Sequence, residues 1–401
     1  MKNERKVLRN KSILLGVTGG VAAYKSIDLI RRLREGGASV TVMMTEAAKN
    51  FVTPLSIEVA SQNKIYSGLF SDPLSHISLP ASAGIMVIAP ATANIIGKFA
   101  NGIADDLVST CFLSVTGKII IAPAMNWRMY ENPAVRQNLD ALLSRGVVQV
   151  GPEKGALACG EEGMGRMADV PDIIESIKFA ITKKDLVNEK ILVTAGPTRE
   201  YLDPIRFISN RSSGKMGYAI ARAAFRRGAE VTLISGPSSL ERPKGIDFIS
   251  VETAGDMLSA VREQLRSSTV FIMSAAVSDY MPSERSGEKI GKVKELLLRL
   301  SRTPDILSEA GKAIGKPFVI GFAAETGRKI ENAKRKLQEK NIDMIVFNDV
   351  TEDGAGFDVD TNKVVLIDKK EKKELPLLDK NSVADAILDR MVEIRAVEIR
   401  A

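Results

Sequence analysis

The sequence predicts an α/β protein with two domains, each a doubly wound (Rossmann-like) parallel sheet covered by helices on both faces. The chain has 401 residues, which exceeds the roughly 100–200 residues of one ordinary domain. Near-continuous apolar strands alternate with helical segments, a pattern typical of buried parallel sheets. A charged segment, 182–190, separates two series of these alternations. We therefore predict domains at 1–182 and 190–401.

The first series of elements follows the order strand, glycine turn, helix, strand. A long glycine-rich loop that carries Cys159 is predicted at 151–165, since loops of this length are often lids. Strands are predicted at 12–17, 40–44, 85–89, 119–122 and 147–150, and helices at 21–33, 94–100, 105–114, 127–144 and 170–180.

The second series repeats this pattern after the charged segment. An exposed polar stretch is predicted at 280–293, and an antiparallel hairpin of 364–368 with 373–377 precedes the last helix. The pentapeptide at 392–396 is repeated at 397–401, and we assign it no function. Strands are predicted at 191–195, 230–234, 270–273, 318–322 and 344–347, and helices at 216–227, 253–265, 304–313 and 328–340.

Composition narrows the classes of partner. The net charge is +7, but aromatic residues make up only 5% and do not interleave with basic residues as nucleic-acid stacking requires. Small anionic ligands therefore fit better than nucleic acid. The two cysteines do not form a disulfide framework, which indicates a reducing compartment. No apolar run reaches the roughly 18 residues of a membrane span. We expect a cytoplasmic protein that does not bind membranes.

The single histidine, His76, is a candidate for proton transfer because its ordinary pKa lies near neutrality. A lone histidine is more often a structural or surface residue. Cys111, in an apolar helix, is interpreted as a core residue.

Ligands of open parallel sheets bind beyond the carboxyl ends of the strands. Thr18-Gly19-Gly20 follows the first strand and allows a ligand to approach the backbone and helix amides. Ser26 and Thr45 add hydroxyl groups. A dinucleotide is disfavoured because the turn is not GxGxxG and the second strand does not end in an acidic residue. A mononucleotide stays possible.

Residues 89–94 (APATAN) combine a strand end, a proline and small side chains, leaving room for a flat ring. Asn126, after Pro123, can bind a carboxylate or amide, or it can act only as a helix cap.

Four stretches of the first half resemble the flavin-dependent cysteine decarboxylases. Residues 123–130 (PAMNWRMY) resemble that family's PxMNxxMW signature, with Tyr130 in place of its tryptophan. Residues 89–94 resemble its flavin-binding turn, and residues 158–167 resemble its substrate lid. His76 falls where the family keeps an active-site histidine. The resemblance implies a flavodoxin-like flavoprotein domain.

The resemblance also implies FMN as cofactor. By the same resemblance, His76 would be catalytic and Cys159 would donate a proton from a mobile loop. Asn126 and Met129 would bind the substrate. Loss of CO2 from a cysteine needs an electron sink, which flavin oxidation of the thiol supplies. The residues expected at the cofactor are Gly19, Ser26, Thr45, Ala89, Pro90, Ala91, Thr92, Ala93 and Asn94.

In the second half, Ser-Ser-Gly-Lys at 212–215 precedes a helix and is suited to holding an anion. It is not a Walker P-loop, because the first glycine and the final hydroxyl of that motif are absent. Lys289, Lys292, Lys336 and Lys340 form a second basic set. Such lysines more often make a solvated face.

Several further stretches resemble the phosphopantothenate–cysteine ligases, and a ligase half fused after a decarboxylase half resembles the bifunctional family of coenzyme A biosynthesis. One departure is Gly291, where related chains often continue a basic run, which puts the role of Lys292 in doubt. The stretches are 195–200, 203–210, 274–280, 288–290, 303–306 and 321–326.

This second resemblance implies a nucleotide-binding ligase domain that uses a nucleoside triphosphate, CTP in bacterial members, with Mg2+. Asn210 and Arg206 would hold an acyl-nucleotide intermediate beside Ala275 and Ala276, and Asn210 and Lys289 would be catalytic. It also implies homo-oligomers, with trimeric decarboxylase and dimeric ligase domains. The residues expected at the nucleotide are Ser274, Asp279, Lys289, Pro304, Asp305, Ile306, Phe322, Lys336 and Lys340.

The substrates expected from both resemblances are 4'-phosphopantothenate, cysteine and the nucleotide. The sequence leaves CTP against ATP open, as well as the metal ligands. A flavin-dependent peptide-cysteine decarboxylase and a non-catalytic flavoprotein regulatory subunit are the alternative functions.

Overall fold

The computed structural model describes residues 5–70, 72–156, 160–327, 330–356 and 358–398. The chain divides into two compact units, one ending at Thr182 and the other beginning at Lys183. Each contains a doubly wound sheet, which confirms the predicted fold class. None of the helices in the described part of the chain is long and apolar enough to span a bilayer.

The first unit consists of a six-stranded sheet, a small hairpin and helices on both sheet faces. Its strands are β1 (Ser12–Val17), β2 (Ser39–Met44), β3 (Ile65–Tyr66), β4 (Ile85–Ala91), β5 (Lys118–Pro123), β6 (Val148–Gln149), β7 (Glu153–Ala156) and β8 (Glu162–Arg166). Its helices are α1 (Arg5–Leu8), α2 (Lys25–Glu35), α3 (Pro54–Ser61), α4 (Ser75–Ser82), α5 (Ala93–Asn101), α6 (Leu107–Ser114), α7 (Trp127–Glu131), α8 (Pro133–Ser144) and α9 (Val170–Ile181).

The six strands are parallel and lie in the order β3-β2-β1-β4-β5-β6. Without the two-residue β3, this is a five-stranded flavodoxin-like order. Successive residues of β1 alternate between two cores: Leu15 packs with α2 and α9, whereas Leu14 packs with α5 and α6. The chain leaves β1 toward one edge and β4 toward the other, so a crevice opens at their carboxyl ends.

Two predictions for the first unit were wrong in detail. The helix expected at 127–144 is broken in two, because Asn132 caps α8 by accepting a hydrogen bond from the Ala134 N–H (3.0 Å) and Pro133 occupies its first turn. The loop expected at 151–165 contains the antiparallel hairpin β7–β8. Cys159 lies outside the described residues.

Among its described residues, the second unit contains an eight-stranded sheet, three two-stranded ladders and five helices. Its strands are β9 (Lys190–Ala195), β10 (Arg199–Tyr201), β11 (Phe207–Ser209), β12 (Glu230–Ser235), β13 (Asp247–Ser250), β14 (Val270–Met273), β15 (Tyr280–Pro282), β16 (Leu300–Arg302), β17 (Phe318–Glu325), β18 (Met344–Asp349), β19 (Thr361–Asn362), β20 (Val364–Asp368), β21 (Lys372–Glu374) and β22 (Leu378–Asp379). Its helices are α10 (Lys215–Arg226), α11 (Ala254–Leu265), α12 (Ile306–Lys312), α13 (Ile330–Glu339) and α14 (Lys380–Glu398).

The main sheet has the order β13-β12-β9-β14-β17-β18-β20-β21. Its first six strands are parallel, while β20 and β21 add an antiparallel edge. Helices α10 and α14 cover one face, and α11, α12 and α13 cover the other. The direction of winding changes between β9 and β14, which places a second crevice at their carboxyl ends.

The hairpin predicted near the C-terminus is present, with a shorter second strand, β21. The exposed polar stretch predicted at 280–293 begins as a strand, since β15 pairs with β16. The remainder, from Ser283 to Arg299, forms a loop between these two strands.

Candidate functional sites

The first unit contains a cavity of about 1060 Å³ at the carboxyl ends of β1, β2, β4 and β5. This is the crevice that the strand order predicts. Its wall consists of the segments that follow these strands, together with part of the β7–β8 hairpin: Thr18–Ala22, Tyr24, Lys25, Thr45–Ala47, Thr92–Ile95, Lys98, Asp106, Ala124–Asn126, Met129, Ala156 and Gly165–Met167.

The glycine turn after β1 is tightly packed. A Cβ atom on Gly19 would lie 2.4 Å from the Cβ of Ala47, so no larger side chain fits without movement. Thr18 Oγ1 donates a hydrogen bond to the Pro90 carbonyl oxygen (2.7 Å) and accepts one from the Thr92 N–H (3.3 Å). These contacts join the turn to the end of β4 and leave backbone exposed to the cavity.

The residues predicted to bind a cofactor fall into two groups. Gly19, Thr45, Thr92, Ala93 and Asn94 line the cavity. The others do not line it: Ser26 Oγ donates to the Ala89 carbonyl oxygen (2.8 Å), and Ala89, Pro90 and Ala91 are buried strand residues beneath the turn.

Asn126 and Met129 also line this cavity. Asn126 Oδ1 accepts a hydrogen bond from the Arg128 N–H (2.9 Å), so the residue caps α7 as well as facing the cavity. The hairpin closes over this segment, where the Met125 N–H donates to the Gly165 carbonyl oxygen (3.0 Å). Trp127 Nε1 donates to Glu161 (2.7 Å).

Sequence reasoning missed the charged residues of this cavity. Lys98 forms ion pairs with Asp105 (2.6 Å) and Asp106 (2.7 Å). Burial alone would lower the pKa of Lys98, but these two carboxylates raise it. Arg166 pairs with Glu153 (2.5 Å), and its Nε is buried without a hydrogen-bond partner among the described residues. Lys98 and Asp106 carry no local signal, since they come from separate elements, whereas Arg166 lies in the stretch 158–167 that resembles a substrate lid but was not predicted as a site residue.

His76 does not line the cavity in the described structure. It is half-buried on α4, and its backbone carbonyl oxygen accepts a hydrogen bond from Ser114 Oγ (2.8 Å).

Cys111 is buried in the core, as predicted. Burial, with a smaller contribution from the charge of Asp106, raises the pKa of the Cys111 thiol to about 12, so this thiol is inert at neutral pH.

The second unit contains a cavity of about 720 Å³ at the carboxyl ends of β9, β14, β17 and β18. Its lining is more polar than that of the first cavity. The lining residues are Asn210–Gly217, Met273–Tyr280, Arg302–Leu307, Phe322–Ala324, Lys336, Lys340, Asn348, Gly356, Asn362 and Lys380.

Nearly every residue predicted to bind the nucleotide or the acyl intermediate lines this second cavity. Asn210 Nδ2 donates to the Val277 carbonyl oxygen (2.9 Å), which fixes its amide beside the segment after β14. Lys336 pairs with Glu325 (2.8 Å). The predicted residues that line the cavity are Asn210, Ser274, Ala275, Ala276, Asp279, Pro304, Asp305, Ile306, Phe322, Lys336 and Lys340.

Arg206 and Lys289 do not line this cavity. Lys289 is exposed on the loop after β15. Arg206 pairs with the buried carboxylate of Asp203 (2.9 Å) and donates to the carbonyl oxygen of Ile290. Burial alone would raise the pKa of Asp203, but hydrogen bonds from the N–H groups of Ile205, Arg206 and Ile290, with the Arg206 charge, lower it to about 2.

Several polar residues of the second cavity were not among the predicted site residues, and they include Arg211, Lys215, Asn348 and Lys380. Lys215 belongs to the anion-binding motif noted in the sequence. Asn348 and Lys380 carry no local signal, because one ends a strand and the other begins the last helix. Burial, and then repulsion from Lys215, lowers the pKa of Lys380 to about 8, although Asp360 and Asp358 oppose the shift.

Within the described ranges, no group of three or more His, Cys, Asp or Glu side chains is arranged to hold a metal ion.

Comparison with known proteins identifies both units. The Flavoprotein family matches residues 1–182, and the DNA/pantothenate metabolism flavoprotein C-terminal domain matches residues 186–394. The chain is 44% identical over 398 residues to the coenzyme A biosynthesis bifunctional protein CoaBC of Bacillus subtilis, covering 97% of this chain and 98% of that protein. It is 45% identical over 398 residues to CoaBC of Escherichia coli K12, covering 96% and 97%.

Among solved structures, the C-terminal domain of a coenzyme A biosynthesis bifunctional protein CoaBC is 43% identical, with a TM-score of 0.47, and the match covers 53% of this chain and 99% of that one. Full-length relatives and both domain matches agree with the order of the two units described above. The chain therefore belongs to the bifunctional coenzyme A biosynthesis family, whose enzymes combine a phosphopantothenoylcysteine decarboxylase with a phosphopantothenate–cysteine ligase.

Proposed function

We propose that the second unit joins 4'-phosphopantothenate to L-cysteine at the expense of CTP, and that the first unit decarboxylates the product to 4'-phosphopantetheine with FMN. The observation that carries this proposal is the presence of one cavity in each unit, at the carboxyl-end crevice of each sheet. The first cavity is large and mainly apolar, and the second is rich in lysine. This division suits a flavin in one and phosphates in the other.

The first cavity fits FMN. Gly19 and Gly20 line the cavity without side chains, so their backbone can approach a phosphate, and Val21, Ala22 and Met125 offer apolar surface for a flat ring. When bound, FMN would supply reversible two-electron oxidation of the substrate thiol, which makes loss of CO2 feasible.

The residues around FMN would bind and orient the substrate. Asn126 lines the cavity, and an asparagine amide is a suitable group to bind the substrate carboxylate. Met129, beside it, offers apolar contact. The β7–β8 hairpin closes over Met125 and Trp127 and would exclude water from the reacting carbon. Proton transfer by His76 and Cys159 rests on the resemblance to cysteine decarboxylases.

In the second cavity, the substrate carboxylate would attack the α-phosphorus of CTP, forming an acyl-nucleotide and releasing pyrophosphate. The cysteine amine would then attack the acyl carbon and release CMP.

Asn210 can hold the acyl group beside Ala275 and Ala276, and Lys336 and Lys340 would stabilise phosphate charge. Mg2+ would accompany the triphosphate, with Asp279 as a carboxylate donor on the cavity wall. Arg206 and Lys289 stay proposed participants through the resemblance.

The test is an assay of the purified protein with 4'-phosphopantothenate, cysteine, Mg2+ and either CTP or ATP. We expect pyrophosphate, CMP and CO2 in equal amounts, and bound flavin that is detected by its visible absorbance. Equal turnover with ATP would overturn the choice of CTP. Absence of flavin and CO2, with pyrophosphate still formed, would favour a ligase with an inactive flavoprotein unit.

A further inference from the structure

Lys215 and Lys380 line the second cavity from helices on one face of the sheet. The lysines that were predicted to bind the nucleotide come from the opposite face. Lys215 begins α10 and Lys380 begins α14, and these two helices pack together on one face. Lys336 and Lys340 come from α13 and its end, on the other face. All four residues line one cavity. The cavity therefore has two basic regions, one carried by the helices of each sheet face.

The Lys380 side chain is unusual because it is buried while ionisable. Only 7% of the residue is exposed, and its ammonium donates to the carbonyl oxygens of Val359 (2.5 Å) and Gly356 (3.4 Å). Burying a charged ammonium costs free energy unless hydrogen bonds and an opposite charge compensate the lost hydration. Burial, and then repulsion from Lys215, lowers the pKa of Lys380, so an anion bound beside this ammonium would favour its charged form.

The neighbouring cations are already neutralised by one acidic segment. Lys215 pairs with Asp360 (2.7 Å) and donates to the Asp358 carbonyl oxygen (2.9 Å), while Arg211 pairs with the Asp358 carboxylate (2.6 Å). These carboxylates are at least half exposed, so an incoming dianion can replace them at modest cost. The buried ammonium would then face that dianion in a water-poor environment.

Asn348 supplies a second, independent sign of a ligand in this region. The residue is 8% exposed, lines the cavity, and donates from Nδ2 to the Ala355 carbonyl oxygen (3.0 Å). Its Oδ1 is buried, and none of the described residues donates a hydrogen bond to it. A buried acceptor without a donor is costly, so a ligand hydroxyl or amide N–H is the expected partner.

We propose that Lys380, with Lys215 and Asn348, forms the subsite that selects a phosphorylated acid substrate over its unphosphorylated form. The ligand class is a phosphate monoester whose adjoining chain carries a hydroxyl or amide donor. The phosphate lies against Lys215 and Lys380, and the donor group binds Asn348 Oδ1. This inference rests on the proposed ligase function and names 4'-phosphopantothenate as the ligand of this region.

The experiment compares the full-length wild type with Lys380→Met, using 4'-phosphopantothenate and pantothenate as alternative acids at saturating CTP. We expect the KM for 4'-phosphopantothenate to rise by about 10–100-fold, the usual effect of losing one charge-assisted hydrogen bond. The preference for the phosphorylated acid in kcat/KM should fall by a similar factor. The KM for CTP should change by less than about threefold.

Three further variants separate this role from a structural one. Lys312→Met removes an exposed lysine that does not line the cavity, and it should behave as wild type. Lys340→Met should raise the KM for CTP and keep the preference for the phosphorylated acid. Lys380→Arg, which retains the charge, should restore part of that preference.

Unchanged discrimination in Lys380→Met would overturn the proposal, as would equal rises in KM for both acids and for CTP. Inactivity of the wild type with 4'-phosphopantothenate would instead refute the proposed ligase function. Direct calorimetric titration of Lys380→Met with 4'-phosphopantothenate keeps the test valid if turnover is lost, because wild-type affinity in that titration also overturns the proposal.

Discussion

The carboxylate of Asp203 accepts a hydrogen bond from the backbone N–H of Ile290 (3.2 Å), although 87 residues separate them in sequence. Arg206, paired with Asp203, donates to the Ile290 carbonyl oxygen. Both backbone groups of Ile290 are thus held by one ion pair, whose carboxylate is buried and whose arginine is partly exposed. The next residue toward the N-terminus is Lys289, so this contact fixes one end of the segment that carries a predicted catalytic lysine.

We expect Asp203→Asn to loosen the 283–299 loop, because an amide in place of the carboxylate loses the ionic part of these hydrogen bonds. Hydrogen–deuterium exchange at Ile290 should accelerate by about tenfold or more. Asp247→Asn, at an exposed strand residue, is the matched control and should leave exchange unchanged. Equal protection in the two variants would show that the Asp203 contact does not order the loop.

The hydrogen bond between the Asp203 carboxylate and the Ile290 N–H should persist in mildly acidic solution. The pKa of Asp203 is lowered from 3.8 to about 2, so its stabilising contribution is complete above pH 3.8 and is lost as the pH falls through 2. Protection of the Ile290 amide, corrected for intrinsic exchange, should therefore be constant from pH 7 to about 4. Loss of protection near pH 5 would contradict this assignment.

Gly165→Ala should damage the flavin cavity and spare the ligase. A Cβ atom at this position would lie 2.1 Å from the Met125 carbonyl oxygen, so the hairpin must move away from the cavity wall. We expect the purified variant to lose flavin absorbance and CO2 release, while pyrophosphate release continues. Gly155→Ala is the control on the same hairpin, since its Cβ would meet only the Arg166 side chain at 3.4 Å.

His76→Asn should uncouple the two reactions. His76 belongs to the first unit, and the ligase cavity contains no histidine among its lining residues. The variant should form 4'-phosphopantothenoylcysteine at the wild-type rate and accumulate it, with decarboxylation reduced by about 10²-fold or more. Mass spectrometry of the products measures both. A parallel loss of ligation would contradict independent sites.

Lys380→Met should change how stability depends on pH. The pKa of Lys380 falls from 10.5 to about 8 on folding, so the unfolded chain holds more protons between these values and the free energy of unfolding rises with pH there. Lys215, Asp358 and Asp360 are the charged neighbours. Relative to Lys380→Met, the wild type should gain about 3 kcal/mol between pH 8 and 10.5. Parallel pH profiles for the two proteins would contradict the shift.

The sheets could be predicted from sequence because buried parallel strands are continuous apolar runs. Ile85–Ala91 illustrates this, since every one of its residues is buried and it ends at the predicted cavity. The hairpin β7–β8 could not be predicted in this way. Gly163 and Gly165 are required by close contact with Trp127 and Met125, and such tertiary contacts leave no periodic pattern.

The candidate sites also divide into residues that sequence patterns predict and residues that only tertiary packing brings together. The glycine turn at Gly19 and Asn126 were predictable because each lies just after a strand of the first sheet. Asn210 follows β11, which is outside the main sheet, and was predicted through the resemblance to the ligases. Lys380 was not, because its place in the cavity depends on the packing of α14 against α10. His76 has a clear sequence signal but lies away from the described cavity wall, so its resemblance-based role still awaits the variant test above.

The antiparallel edge of the second sheet has a consequence for solubility. All three residues of its last strand, Lys372, Lys373 and Glu374, are exposed. An open strand edge offers free backbone groups to any other chain, and charged side chains are a common defence against such pairing. A second edge approaching this strand would have to desolvate its lysines. Replacing both lysines by threonine should therefore promote aggregation on concentration without altering either active site.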